Sequence, residues 1–170
     1  FLFRRPPSYS PLYSSAASDV YKSQAQCREE LKAQDVGNAL YGLQRLGDSE
    51  QVRELVKALT PKVQECREVL SAQEVGNALY GLQRMGDSEQ TRELVAALTP
   101  KIRDCREALG EQHVGNALYA LQRMGDSEQT RELVAALTPK VRECREALRA
   151  QELGNALYGL QRRRDTDKMR

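Results

Sequence analysis

Four cysteines, one histidine and a recurring set of Gln, Asn, Tyr and Arg are the side chains of this sequence with chemistry to offer. Cys27, Cys66, Cys105 and Cys144 stand 39 residues apart. No two form the close C-x-x-C pair that holds zinc or runs thiol exchange. If the intervening segments stack as helices roughly 8–10 Å apart, thiols of adjacent segments lie beyond the ~7 Å between Cα atoms that a disulfide spans. They read as small core hydrophobes in a reducing setting. His113 occurs once, where the other segments carry Asp35, Glu74 and Glu152. It has no unique Ser, Cys or Asp to complete a nucleophilic triad, and it is expected to face solvent on a first helical turn. There is no glycine-rich phosphate loop, and Gly-Asp-Ser reads as a helix junction. The expectation is a non-enzyme with no catalytic residue, no cofactor, no metal site and no small-molecule substrate.

The polar set carries more information. Gln73, Asn77, Tyr80 and Arg84 are spaced four, three and four apart, which places them on one helical face beside the apolar one. The same set recurs as Gln34, Asn38, Tyr41 and Arg45, as Gln112, Asn116, Tyr119 and Arg123, and as Gln151, Asn155, Tyr158 and Arg162. Amides hydrogen-bond base edges, Tyr stacks on them, and Arg holds phosphate. Two roles stand open for Asn and Tyr: recognition of a ligand, or internal ties between adjacent helices.

The elements that must position these groups repeat at the same period. Three units, 27–65, 66–104 and 105–143, are followed by a shortened fourth, 144–170. Within the second unit Val75, Ala78, Leu79 and Leu82 follow the i, i+3, i+4, i+7 spacing of one helical face. Ser71 and Glu74 form a capping-box pair; Lys32, Gly110 and Arg149 replace that serine in the other units. Gly86 is expected to end the first helix in a positive-φ conformation, and Asp87 to cap the second. That second helix carries Leu94, Val95 and Leu98 before Thr99-Pro100. A proline inside a helix removes a backbone hydrogen bond, so Thr-Pro reads as a break. A third short helix would then run to about Leu109 and bury Ile102, Cys105 and Leu109. Two helices with a kinked second are the alternative. Gly76 and Gly81 inside the first helix signal a close approach by another helix or a ligand, and Ala120 shows that the second of these sites tolerates a methyl group. Glu89, Arg92, Glu93 and the Arg-Glu pair after each Cys read as solvated surface.

A period near 40 without strand-like alternation predicts an all-α fold. The expected architecture is an α-solenoid of about four 39-residue helical repeats, a right-handed HEAT/armadillo-like superhelix, spanning 27–170. Residues 1–26 differ in kind and form an extended, low-complexity N-terminal arm. Its Phe1, Phe3, Arg4, Arg5, Tyr9 and Tyr13 suit anchoring along a partner surface. The acid-poor arm also fits the tail of an organellar transit peptide. Of the net charge of +2, all resides in the arm, so the repeats are neutral and offer no polyanion-attracting field. No stretch approaches the ~20 apolar residues of a membrane span. In the fourth unit Arg163-Arg164 stands where the others carry Leu46-Gly47, Met85-Gly86 and Met124-Gly125, as an end cap with a polar outer face would.

The run Ala-Gln-Glu-Val-Gly-Asn-Ala-Leu-Tyr-Gly-Leu-Gln-Arg-Met-Gly resembles a helix of the octotricopeptide-repeat proteins and of the related FAST-kinase-like, RAP-associated organellar repeat proteins. Their form is Gln-x-x-x-Asn-x-Leu-Trp-Ala-Leu-x-Lys-Leu-Gly. Gln73, Asn77, Leu79, Tyr80 for Trp, Leu82, Arg84 for Lys and Gly86 match it, and the match recurs in all four units, over about a third of the chain. The resemblance implies an α-solenoid of a plastid or mitochondrion, commonly one that binds RNA.

A repeat code for RNA needs side chains that vary from unit to unit, whereas this stripe is invariant. The expected function is therefore a helical-repeat interaction or scaffold protein, a small structural subunit of a larger organellar complex whose partners are other protein subunits. An organellar RNA-binding protein of the octotricopeptide-repeat type is the alternative.

Overall fold

A computed structural model describes residues 29–145 and 149–161. These are all-helical, with seven α-helices and no strand among the described residues. In chain order they are α1 (Ala33–Gly42), α2 (Glu50–Glu65), α3 (Ala72–Gly81), α4 (Glu89–Asp104), α5 (Glu111–Ala120), α6 (Glu128–Glu143) and α7 (Ala150–Gln161). Short 3-10 turns, Leu43–Arg45, Leu82–Arg84 and Leu121–Arg123, extend α1, α3 and α5. Each helix packs on the helix two places along the chain. The odd helices α1, α3, α5 and α7 form one layer, and α2, α4 and α6 form the other.

The core follows the apolar period. Val75, Ala78, Leu79 and Leu82 are buried as their spacing predicts, and so are Leu94, Val95, Leu98, Ile102, Cys105 and Leu109. The Cys66 and Cys105 thiols lie in this core, with Sγ against the Glu68 and Glu107 carbonyls. Ser71 caps α3 as expected, and its own N–H donates to the Glu74 carboxylate at 2.7 Å. The return half of that box survives where the serine is lost, because Asp35 accepts from the Lys32 N–H and His113 Nδ1 from the Gly110 N–H.

Several local expectations are corrected. Thr-Pro does not break the helix: α2, α4 and α6 each run through Pro61, Pro100 and Pro139. The prolines sit on the exposed side, as do Lys57, Ala96 and Ala135, whose carbonyls a proline nitrogen leaves without a donor and which water can serve. The preceding threonine hydroxyls donate back to Val56, Val95 and Val134. Each full unit thus has two helices, and Ile102 belongs to the second.

Gly86 has no positive φ. The Asp48 carboxylate lies where a Cβ on Gly86 would stand, and Asp87 lies against Gly125 in the same way. The cap of α4 is Ser88, not Asp87: the Ser88 hydroxyl accepts from the Thr91 N–H, as Ser49 and Ser127 accept in α2 and α6. Asp87 instead meets Arg92 at 3.3 Å. Nor are the Arg-Glu pairs only solvated surface. Glu68 and Glu107 accept from the Ala33 and Ala72 N–H groups, at 2.8 Å each, and so tie one unit to the start of the previous one. The arm residues Phe1, Phe3, Arg4, Arg5, Tyr9 and Tyr13, and the end-cap pair Arg163-Arg164, lie outside the described residues.

Candidate functional site: a polar groove on the odd helices

Gly81 sets the spacing of the site. A Cβ there would strike the Leu40 carbonyl oxygen, so glycine lets α3 settle directly on the α1 backbone. At Gly76 the neighbour is a side chain, His113, whose Cδ2 lies 2.6 Å from the place of a Cβ. His113 is therefore half-buried against α3 while it caps α5, and the expectation of a solvent-facing histidine is corrected.

This close stacking aligns the polar set. Gln34, Asn38, Tyr41 and Arg45 on α1 and its 3-10 turn, Gln73, Asn77, Tyr80 and Arg84 on α3, Gln112, Asn116, Tyr119 and Arg123 on α5, and Gln151, Asn155 and Tyr158 on α7 are all half-buried or exposed. Arg162 lies outside the described residues. The Tyr41 and Tyr80 rings stack with centroids 5.9 Å apart, and those of Tyr119 and Tyr158 at 6.0 Å. Among the described residues no such stack joins Tyr80 to Tyr119. At that junction a buried Ala120 occupies the place that Gly81 takes between α1 and α3.

The set lines two adjoining depressions. One of about 390 Å³ is bounded by Arg45, Tyr80, Arg84, Tyr119, Arg123 and Tyr158 together with Gln44, Gln83 and Gln122. The other, about 250 Å³, is bounded by Tyr41, Asn77, Tyr80, Gln112, Asn116, Gln151 and Asn155 with Gly115. The three glutamines at 44, 83 and 122 were missed by helical spacing because the tighter 3-10 turn swings them onto this face. Their signal was the unchanging Leu-Gln-Arg triplet.

Among the described residues, none of the Asn38, Asn77, Asn116 or Asn155 amides and none of the four tyrosine hydroxyls hydrogen-bonds to the protein. The internal ties run elsewhere, through Glu68, Glu107, and Lys101 and Lys140, whose ammonium groups donate to the Cys66 and Cys105 carbonyls. Arg123 donates to the Arg84 carbonyl at 3.4 Å, which leaves most of its five-donor fork outward.

Beside the groove, Arg53 bonds Asp48 at 2.8 Å. That hydrogen bond and charge hold the Asp48 carboxyl below its ordinary 3.8, with the Gly86 N–H and Arg123 adding to the effect against partial desolvation. The arrangement offers paired donors and acceptors, stacked rings and fixed cations. No cluster of metal-ligating side chains stands among the described residues, and no helix among them is long and apolar enough to cross a membrane. Compared with known proteins, the sequence matches no family model, no curated protein and no solved structure.

Proposed function

We propose that the chain is a non-enzymatic helical-repeat interaction protein, an α-solenoid of HEAT/armadillo-like right-handed twist, that grips an extended segment of a protein partner along the odd-helix groove. The observation that carries this reading is the row of amides with no partner inside the described chain. An amide presents a donor and an acceptor side by side, which is the complement of a peptide group. Helices about 8–10 Å apart repeat that complement every three residues of an extended strand, at about 3.3 Å per residue. An invariant stripe suits a backbone, which is also invariant. The neutral repeats suit it too, since they supply no excess charge for a polyanion. The resemblance to octotricopeptide-repeat helices supports an organellar setting and a scaffold role in a larger complex.

The stacked Tyr pairs favour a second reading, single-stranded RNA of uniform sequence, with bases on the ring faces and phosphates on Arg45, Arg84 and Arg123. Fluorescence titration of the full chain against an array of extended 12-residue peptides and against homopolymer RNAs, at two salt concentrations, separates the two. The scaffold reading expects saturable peptide binding that changes little with salt and is lost in Asn77→Ala with Asn116→Ala. RNA binding that steepens at low salt and is lost in Arg84→Ala with Arg123→Ala, without peptide binding, would replace it.

A further inference from the structure

The groove on the odd helices is a side of the molecule and not an end. Helices α3 and α5 each pack between two neighbours of their own layer. Even so, Asn77, Tyr80, Asn116 and Tyr119 stay half-buried, and Arg84 and Arg123 exposed. Their step along the groove is the spacing of the helices, about 8–10 Å. That step discriminates between the extended conformations a bound segment can take. A flat β-strand rises about 3.3 Å per residue and turns successive residues to opposite faces, so it returns the same face every ~6.6 or ~13 Å. Polyproline II makes one turn in three residues, at about 3.1 Å each, and returns the same face every ~9.3 Å. Only the second keeps step with the helices.

Two further features point the same way. Polyproline II has no internal hydrogen bonds, so its carbonyls need donors from outside. Arginine offers donors and no acceptor, whereas proline offers an acceptor and no donor. Arg45, Arg84 and Arg123 line the larger depression, and neither the Arg45 nor the Arg84 guanidinium has a partner among the described residues. The rings are the second feature. Between the stacked pairs Tyr41–Tyr80 and Tyr119–Tyr158, no stack joins Tyr80 to Tyr119, and both of these rings line that same depression. Aromatic-lined grooves dock the proline rings of a polyproline II segment, whose conformation is set before it binds.

We propose that the groove binds a proline-rich segment of another protein in the polyproline II conformation, one turn to each repeat unit, with a proline ring seated between Tyr80 and Tyr119. A residue other than proline comes round at every third position and presents its N–H and C=O to Asn77 and Asn116, which line the smaller depression. The inference rests on the peptide-gripping role of the groove and names the class of peptide. The chain's own Pro6, Pro7 and Pro11 do not keep a period of three.

The test is fluorescence anisotropy of the full chain with two capped, uncharged 12-residue peptides, one of Ala-Pro-Pro repeats and one of strand-forming Val-Thr-Gln-Thr repeats. Saturable binding of the first is expected, about tenfold or more tighter than that of the second. Tyr80→Ala or Tyr119→Leu should weaken it by a similar factor, and the comparison of peptides on the parent chain needs no variant. Binding of the second peptide as tightly as the first would overturn the proposal and leave the groove its extended-peptide role. Saturation by neither up to about 1 mM would remove that role as well. Tighter binding of the first peptide by a chain carrying Pro6→Ala, Pro7→Ala and Pro11→Ala would also overturn the proposal, by giving the groove to the chain's own arm.

Discussion

Single side chains decide how closely the helices approach. At Gly81 a Cβ would meet the Leu40 carbonyl, which is backbone and cannot turn aside, whereas at Gly42 there is open space. Gly81→Ala should therefore lose about 1–3 kcal/mol through overpacking, net of the ~1 kcal/mol by which alanine favours a helix. Gly42→Ala should gain about 0.5–1 kcal/mol. Urea denaturation of the two variants checks both signs. A second residue-level consequence concerns pH. Arg53 depresses the Asp48 carboxyl in the folded chain, so the pair's contribution is present above about pH 4, the unfolded aspartate's range. It is lost as pH falls through the lower folded value. Asp48→Asn should lower stability at pH 7 and flatten its acid dependence below about pH 4, as thermal unfolding across pH 2–7 would show. The sequence displayed the glycines but not their reasons. That Asp48 lies against Gly86, or His113 against Gly76, is a fact of contact between units, which spacing within one unit does not contain.

At the level of the helices, period and face were legible and boundaries were not. The i, i+3, i+4, i+7 pattern placed Val75, Ala78, Leu79 and Leu82 in the core, where they are. The misplaced cap has a local cause: Asp87 is engaged by Arg92, which leaves the neighbouring Ser88 to receive the Thr91 N–H. Ser88→Ala should thus cost about 1 kcal/mol, while Asp87→Asn should leave the helix start in place. Amide hydrogen exchange at Thr91 reports the difference. The misread proline has one as well. Pro100 is on the wet side of α4, and Thr99 gives its hydroxyl to Val95. The helix continues at a cost that Pro100→Ala should recover, raising stability by up to about 3 kcal/mol with the 89–104 helix unchanged by NMR secondary shifts. A loss of stability would mean instead that the proline shapes a bend the packing needs.

In the molecule as a whole, different side chains tie the units together and line the groove. Neighbouring units are tied by Glu68 and Glu107 on backbone N–H groups, which read from the sequence as solvated surface, and by Lys101 and Lys140 on cysteine carbonyls, to which the sequence assigned no role. The Asn amides and Tyr hydroxyls, for which the sequence left two roles open, take no part in those hydrogen-bonded ties among the described residues, while the Tyr rings of adjacent units meet in two stacked pairs. Their types and common face were readable from spacing alone; their freedom was not, because which polar group satisfies which backbone atom is settled only when helices pack. The most direct measurement is the thermal midpoint of the chain carrying both Asn77→Ala and Asn116→Ala. Side chains that serve an external ligand should leave it within about 2 °C of the parent, the scale of solvent-facing substitutions. A fall of more than about 5 °C would mean that the amides hold the helices together, and would contradict the reading of the groove as a surface made for binding.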